Sequence, residues 1–98
     1  MPVTNEKRIS RKTVIIRQDG FITADLDGEK AMMSIEKGKY YGLNTVGALI
    51  WDLLNQPLTV QELMDELMKE FQVDKDICFK DVSFFLSKMQ QEGLVSLV

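Results

Sequence analysis

The run KYYGLNTVGALIWDLL, residues 39–54, changes its periodicity near its middle, and that change decides the fold. Over the first five residues Lys39, Tyr41 and Leu43 fall on one side of an extended segment and Tyr40 and Gly42 on the other, the period of two that a sheet imposes. Asn44 or Thr45 then offers a side-chain oxygen as a helix N-cap. From there Val46, Leu49, Ile50, Leu53 and Leu54 recur at three and four, Trp51 widens the stripe, and Pro57 closes the helix. A strand that passes into a helix across one Asn is a rigid joint. The other segments pack on it or extend from it.

Upstream, Lys12–Arg17 (KTVIIR) is β-branched and suits a strand, with Gln18-Asp19-Gly20 as a turn into a second candidate strand, Phe21–Asp25. Asp27-Gly28 signals a hairpin whose return strand is Lys30–Ile35, and Glu36-Lys37-Gly38 turns into Lys39–Leu43. Met32 and Met33, adjacent on a strand, must face opposite ways, so one of them is the more exposed. Downstream, Thr59 with Glu62 has the spacing of a capping box, and Val60, Leu63, Met64, Leu67, Met68 and Phe71 supply an amphipathic stripe. A third helix runs from near Asp74 to about Gln91, with Gly93 as its stop, before a closing strand or tail over Leu94–Val98. The fold class is therefore α+β: an N-terminal antiparallel sheet of three or four strands, followed by a three-helix bundle of winged-helix type. Residues 1–11 are polar and aperiodic and read as a flexible basic arm; 12–98 form one domain.

Bulk composition removes several functions. A chain of 98 residues with 45% apolar content holds one modest core, and with no membrane-length apolar run and no signal-peptide block it is expected in the cytosol. One cysteine, Cys78, and no histidine leave no basis for a zinc site or for a His-activated nucleophile. The six glycines are scattered, so no phosphate loop is present. These absences point to a binding module without catalysis or cofactor. Residues 1–17 carry five cations against one acid, whereas residues 18–98 hold seven lysines and fourteen acids, so the folded part suits a neutral or basic partner.

Three helices and a strand also raise DNA binding as an alternative. The helix that would enter a groove carries Lys75, Lys80 and Lys88 against Asp74, Asp76, Asp81 and Glu92, with no arginine. Such a surface repels phosphate. The other rival is a structural subunit that uses a sheet edge to dimerise, with exchange of the N-terminal strands as one route.

The ordered set Gly38-Lys39-Tyr40-Tyr41-Gly42-Leu43-Asn44, Gly47–Trp51, Thr59–Leu67 (TVQELMDEL), Asp81-Val82, Phe85-Leu86 and Gly93-Leu94-Val95 resembles the PqqD-like family over about residues 13–98. These are recognition elements for ribosomally made, post-translationally modified peptides, and the Tyr-Tyr-Gly-Leu-Asn and Gly-Ala-Leu-Ile-Trp pair is most similar to the free-standing members associated with lasso-peptide biosynthesis. The resemblance implies a non-catalytic domain that takes the leader of a precursor peptide as an added strand between its third strand and third helix. In the lasso group that leader commonly carries Tyr-x-x-Pro, and a leader protease and a cyclase act on the presented peptide. A monomer or weak dimer is expected, and neither the precursor nor its modification is written in the sequence.

Independently, Lys39–Leu43 holds no proline and one charge, so as an edge strand it is open to pairing with another chain. Tyr41 and Lys39 share the face of Leu43, which makes Tyr41 the leading wall residue. On the third helix Ile77, Asp81, Phe84 and Lys88 form a second stripe turned away from Val82, Leu86 and Met89. Asp81 suits a basic residue of the peptide. With Phe85 from the matching segment, the candidate peptide-binding set is Lys39, Tyr40, Tyr41, Gly42, Leu43, Ile77, Asp81, Phe84, Phe85 and Lys88. Cys78 reads as a small buried helix residue.

Overall fold

Asn44 stands where the period changes. Its backbone is extended and its side-chain oxygen accepts a hydrogen bond from the Gly47 N–H at 2.9 Å, so strand gives way to helix within one residue. The computed structural model describes residues 9–98, which form β1 (Val14–Arg17), β2 (Phe21–Leu26), β3 (Glu29–Ser34), β4 (Tyr40–Leu43), α1 (Thr45–Leu53), β5 (Leu58–Thr59), α2 (Val60–Glu70), α3 (Lys75–Gln91) and β6 (Val95–Leu97). The fold is α+β, with the strands in two antiparallel three-stranded sheets, ordered β2-β3-β4 and β5-β1-β6.

The β2–β3 hairpin turns on Asp27 and Gly28, at φ 54° and 91°. Two consecutive positive φ angles match the right-handed twist of the flanking strands, and Asp-Gly is a pair that tolerates them. The hairpin expected between Lys12–Arg17 and Phe21–Asp25 does not form. Instead β1 becomes the centre of the second sheet, pairing with β6 through Ile15↔Leu97 and Arg17↔Val95 and with β5 through Val14↔Thr59. Gln18 shows why: its N–H donates to the Leu94 carbonyl and its amide to Ser96 Oγ at 2.6 Å, which commits the turn to the distant C-terminal strand. Ile15 is thereby fully buried.

Helix caps follow the sequence closely. Thr59 and Glu62 make the reciprocal capping box on α2, and the Asp74 carboxylate accepts from the N–H groups of Asp76 and Ile77 at the start of α3. At the other end of α3, Leu94 N–H donates to the Met89 carbonyl and Gly93 N–H to that of Gln90, the paired bonds that stop a helix and turn the chain into β6.

The core is built from Ile15, Met32, Ile50, Leu54, Val60, Leu63, Met64 and Leu86, so the inner face of the meander packs on the helices. Phe21 bridges Tyr41 and Trp51 with edge-on ring contacts at 6.2 and 5.7 Å. Arg17 lies over the Trp51 ring and donates to the Trp51 carbonyl at 2.9 Å, placing a cation at the negative end of α1. Lys30, on the inner face of β3, is 5% exposed and paired with Asp25 and, at 3.2 Å, Asp52, so its charge ties β3 to α1. The Asp25 hydrogen bond raises the Lys30 pKa above the ordinary lysine value, against the opposing effect of burial.

On the outer face of the meander the register places Ile22, Met33 and Tyr40 in one row and Ala24, Ala31 and Gly42 in the next, with Leu26 at the end. Met32 is buried and Met33 half-buried, which resolves the facing of that pair. An antiparallel sheet with one free face normally turns polar residues outward; here the free face is apolar except for Glu29, opposite Leu26. Of the arm expected over residues 1–11, residues 1–8 lie outside the described residues. Ile9 packs against the core, and Arg11 lies 4.6 Å from the centre of the Phe79 ring and within 3.7 Å of Asp76.

Candidate functional site

The β4 edge is the starting point. Ser34 N–H donates to the Lys39 carbonyl at 2.8 Å, and the register continues Met33↔Tyr40, Met32↔Tyr41, Ala31↔Gly42, Lys30↔Leu43. In an antiparallel pair, hydrogen-bonded and non-bonded positions alternate. Tyr41 and Leu43 therefore bond inward to β3, while the N–H and C=O groups of Tyr40 and Gly42 point off the sheet. Among the described residues no strand pairs with that side of β4.

Beside this edge runs a groove of about 420 Å³ lined by Tyr41, Gly42 and Leu43 from β4, Phe84, Phe85, Lys88 and Met89 from α3, and Glu92 and Leu94 beyond it. Leu43 and Met89 are buried and form its floor, whereas Phe84, 66% exposed, stands at its rim. The Lys88 ammonium sits 5.4 Å from the centre of the Phe84 ring. The Tyr41 ring is half-buried, and its hydroxyl is buried with no hydrogen-bond partner among the described residues.

One end of the groove is closed by an ion pair. Lys39 Nζ lies 2.9 Å from Glu92 Oε1, joining the residue before β4 to the C-cap of α3. The Glu92 carboxyl is held below the usual carboxylate range by its hydrogen bond to Lys39, and the Lys39 ammonium is raised by the same bond. Both groups are exposed, so the pair matters for geometry more than for stability.

Six of the ten candidate residues thus meet around one groove: Tyr41, Gly42, Leu43, Phe84, Phe85 and Lys88. Lys39 forms its closed end, and Tyr40 turns its side chain to the outer sheet face, where it is 76% exposed, while its backbone faces the open edge. Asp81 instead lines a second, apolar cavity of about 230 Å³ with Val46, Leu67, Phe71, Val73, Cys78 and Val82, and Ile77 is exposed outside both. Sequence reasoning had assigned Met89 to the core and missed Glu92 and Leu94. Met89 is buried and also lines the groove, and the place of Glu92 beside it depends on a contact with Lys39 across 53 residues that no local pattern records. Cys78 is buried, and burial pushes its thiol pKa up, so it stays protonated and unreactive.

An open strand edge facing an apolar groove is a geometry that can take up an extended chain. The model of the family described as Coenzyme PQQ synthesis protein D (PqqD) matches residues 29–95. The chain belongs to the PqqD family. The match spans β3 to the start of β6 and so contains both walls of the groove. Among solved structures, that of TbiB1 in complex with the TbiA(beta) leader peptide is similar with a TM-score of 0.76 and 28% sequence identity, covering 83% of this chain and 94% of that one. No curated protein sequence matches the chain. Among the described residues no helix is long and apolar enough to cross a membrane, and no group of His, Cys, Asp and Glu could hold a metal ion.

Proposed function

We propose that this PqqD-family domain binds the leader of a ribosomally synthesised precursor peptide, of the kind that leads to a lasso peptide, and presents it to a leader protease and a cyclase without catalysis of its own. The observation that carries the reading is the β4 edge, with which no strand pairs among the described residues, beside the apolar groove against α3. An extended leader adds to the meander as a fourth strand, bonding to the outward groups of Tyr40 and Gly42. Its alternate side chains point into the groove, where Tyr41, Leu43, Phe84, Phe85 and Met89 select apolar or aromatic residues. Lys39 and Glu92 set the end of the paired segment. TbiB1, the protein solved with a leader peptide, supports this assignment. The other side chains of the added strand extend the apolar outer face of Ile22, Met33 and Tyr40, which gives a processing enzyme a surface continuous with its substrate.

The test is a fluorescence anisotropy titration with two labelled synthetic peptides, the TbiA(beta) leader and a designed leader carrying the Tyr-x-x-Pro motif, and with duplex DNA at two salt concentrations. Saturable binding of a leader with weak salt dependence is expected. Binding of DNA alone, falling steeply with salt, overturns the proposal.

A further inference from the structure

Gly47 is the third residue of α1, a position where alanine is the better helix former. The reason for glycine lies on the opposite helix. A methyl group at residue 47 would stand 2.5 Å from Phe85 Cζ and 3.3 Å from Cε1, and 3.4 Å from Asn44 Oδ1. The ring of Phe85 therefore rests directly on the α1 backbone, edge toward Gly47, at a separation that any side chain would fill.

Phe85 is only half-buried, and its other face lines the groove beside Leu43 and Met89. Its neighbours along α3, Val82, Leu86 and Met89, are each under 5% exposed, so the core side has no room for a displaced ring. The groove is where space remains. A ring pushed off residue 47 by about 1 Å, the distance from the clash to ordinary contact, moves into the volume a ligand side chain would take.

We infer that Gly47 is a positioning residue for ligand recognition: by letting the Phe85 ring sink against α1, it sets the depth of the groove and so the size of the peptide side chain accepted between β4 and α3. The inference rests on the leader-binding reading and adds the residue that tunes it. Gly47 touches no ligand itself and acts through Phe85.

A double-mutant cycle tests this with the same labelled leader peptides. Gly47→Ala is expected to weaken leader binding roughly tenfold or more, the scale of one misplaced methylene in a fitted apolar pocket. In a Phe85→Leu background, which removes the outer ring atoms, the same change is expected to alter affinity less than about twofold. Equal weakening in both backgrounds, or no weakening in the native background, overturns the inference. Should Gly47→Ala alone fail to fold by circular dichroism, the double variant with Phe85→Leu is expected to fold and to match Phe85→Leu in affinity; a double variant that stays unfolded also overturns it. Absence of leader binding by the unaltered protein refutes the functional reading instead, so the two failures are distinct.

Discussion

Tyr41 combines two roles that separate on substitution. Its ring walls the groove, so Tyr41→Ala is expected to weaken leader binding with the fold retained, as is Phe84→Asp at the rim; unchanged affinity in both, by the anisotropy titration, would refute the cleft assignment. Its hydroxyl is buried without a partner among the described residues, so Tyr41→Phe is expected to raise the stability of the free domain by about 1 kcal/mol in urea unfolding. Trp51, 5% exposed and in contact with Phe21 and Arg17, behaves differently. Trp51→Ala is expected to cost about 3–5 kcal/mol and to leave the domain largely unfolded at room temperature. The wall residues of β4 were legible from alternation alone, because a period of two fixes facing. Glu92 was not, since a helix-terminal acid has many uses and only the folded chain brings it to Lys39.

Strand β4 is where the mode of binding can be tested as a property of an element. Gly42 directs its N–H off the sheet, and a side chain there meets open space. Gly42→Pro therefore removes the outward donor without breaking the inward ladder, which an edge strand tolerates. Leader affinity is expected to fall by about tenfold or more while circular dichroism stays native; Gly42→Ala, which keeps the N–H, is expected to bind within about twofold. Retained binding by the proline variant would exclude strand addition. The caps of α1, α2 and α3 were readable because capping is local chemistry, Asn44, Thr59 and Asp74 each reaching two or three residues ahead. The partners of β1 were not, because nothing within Lys12–Arg17 states that its neighbours are residues 58–59 and 95–97.

For the molecule as a whole, the shifted groups fix how stability responds to pH. The folded Lys30 pKa lies above its unfolded value, so its contribution is complete below the ordinary lysine value of 10.5 and is lost as pH rises through the folded value. The Glu92 pKa lies below its unfolded value, so the closed end of the groove persists above the ordinary glutamate value of 4.5 and opens only as pH falls through the lowered one. Lys30→Met, which leaves Asp25 and Asp52 exposed to solvent, is expected to fold normally at pH 7 and to flatten the alkaline limb of a thermal-melt series; an unchanged limb would assign that sensitivity elsewhere. The central position of β1 bears on synthesis as well. Val14 exchanges both backbone hydrogen bonds with Val98, so the β6 side of β1 stays solvated until residue 98 has left the ribosome, although β5 can pair with the other side earlier. The meander, the helices and the β5–β1 pair can associate during translation, but β6 completes the second sheet only afterwards, and a chain stalled before residue 95 would show β1 more open to protease than the meander.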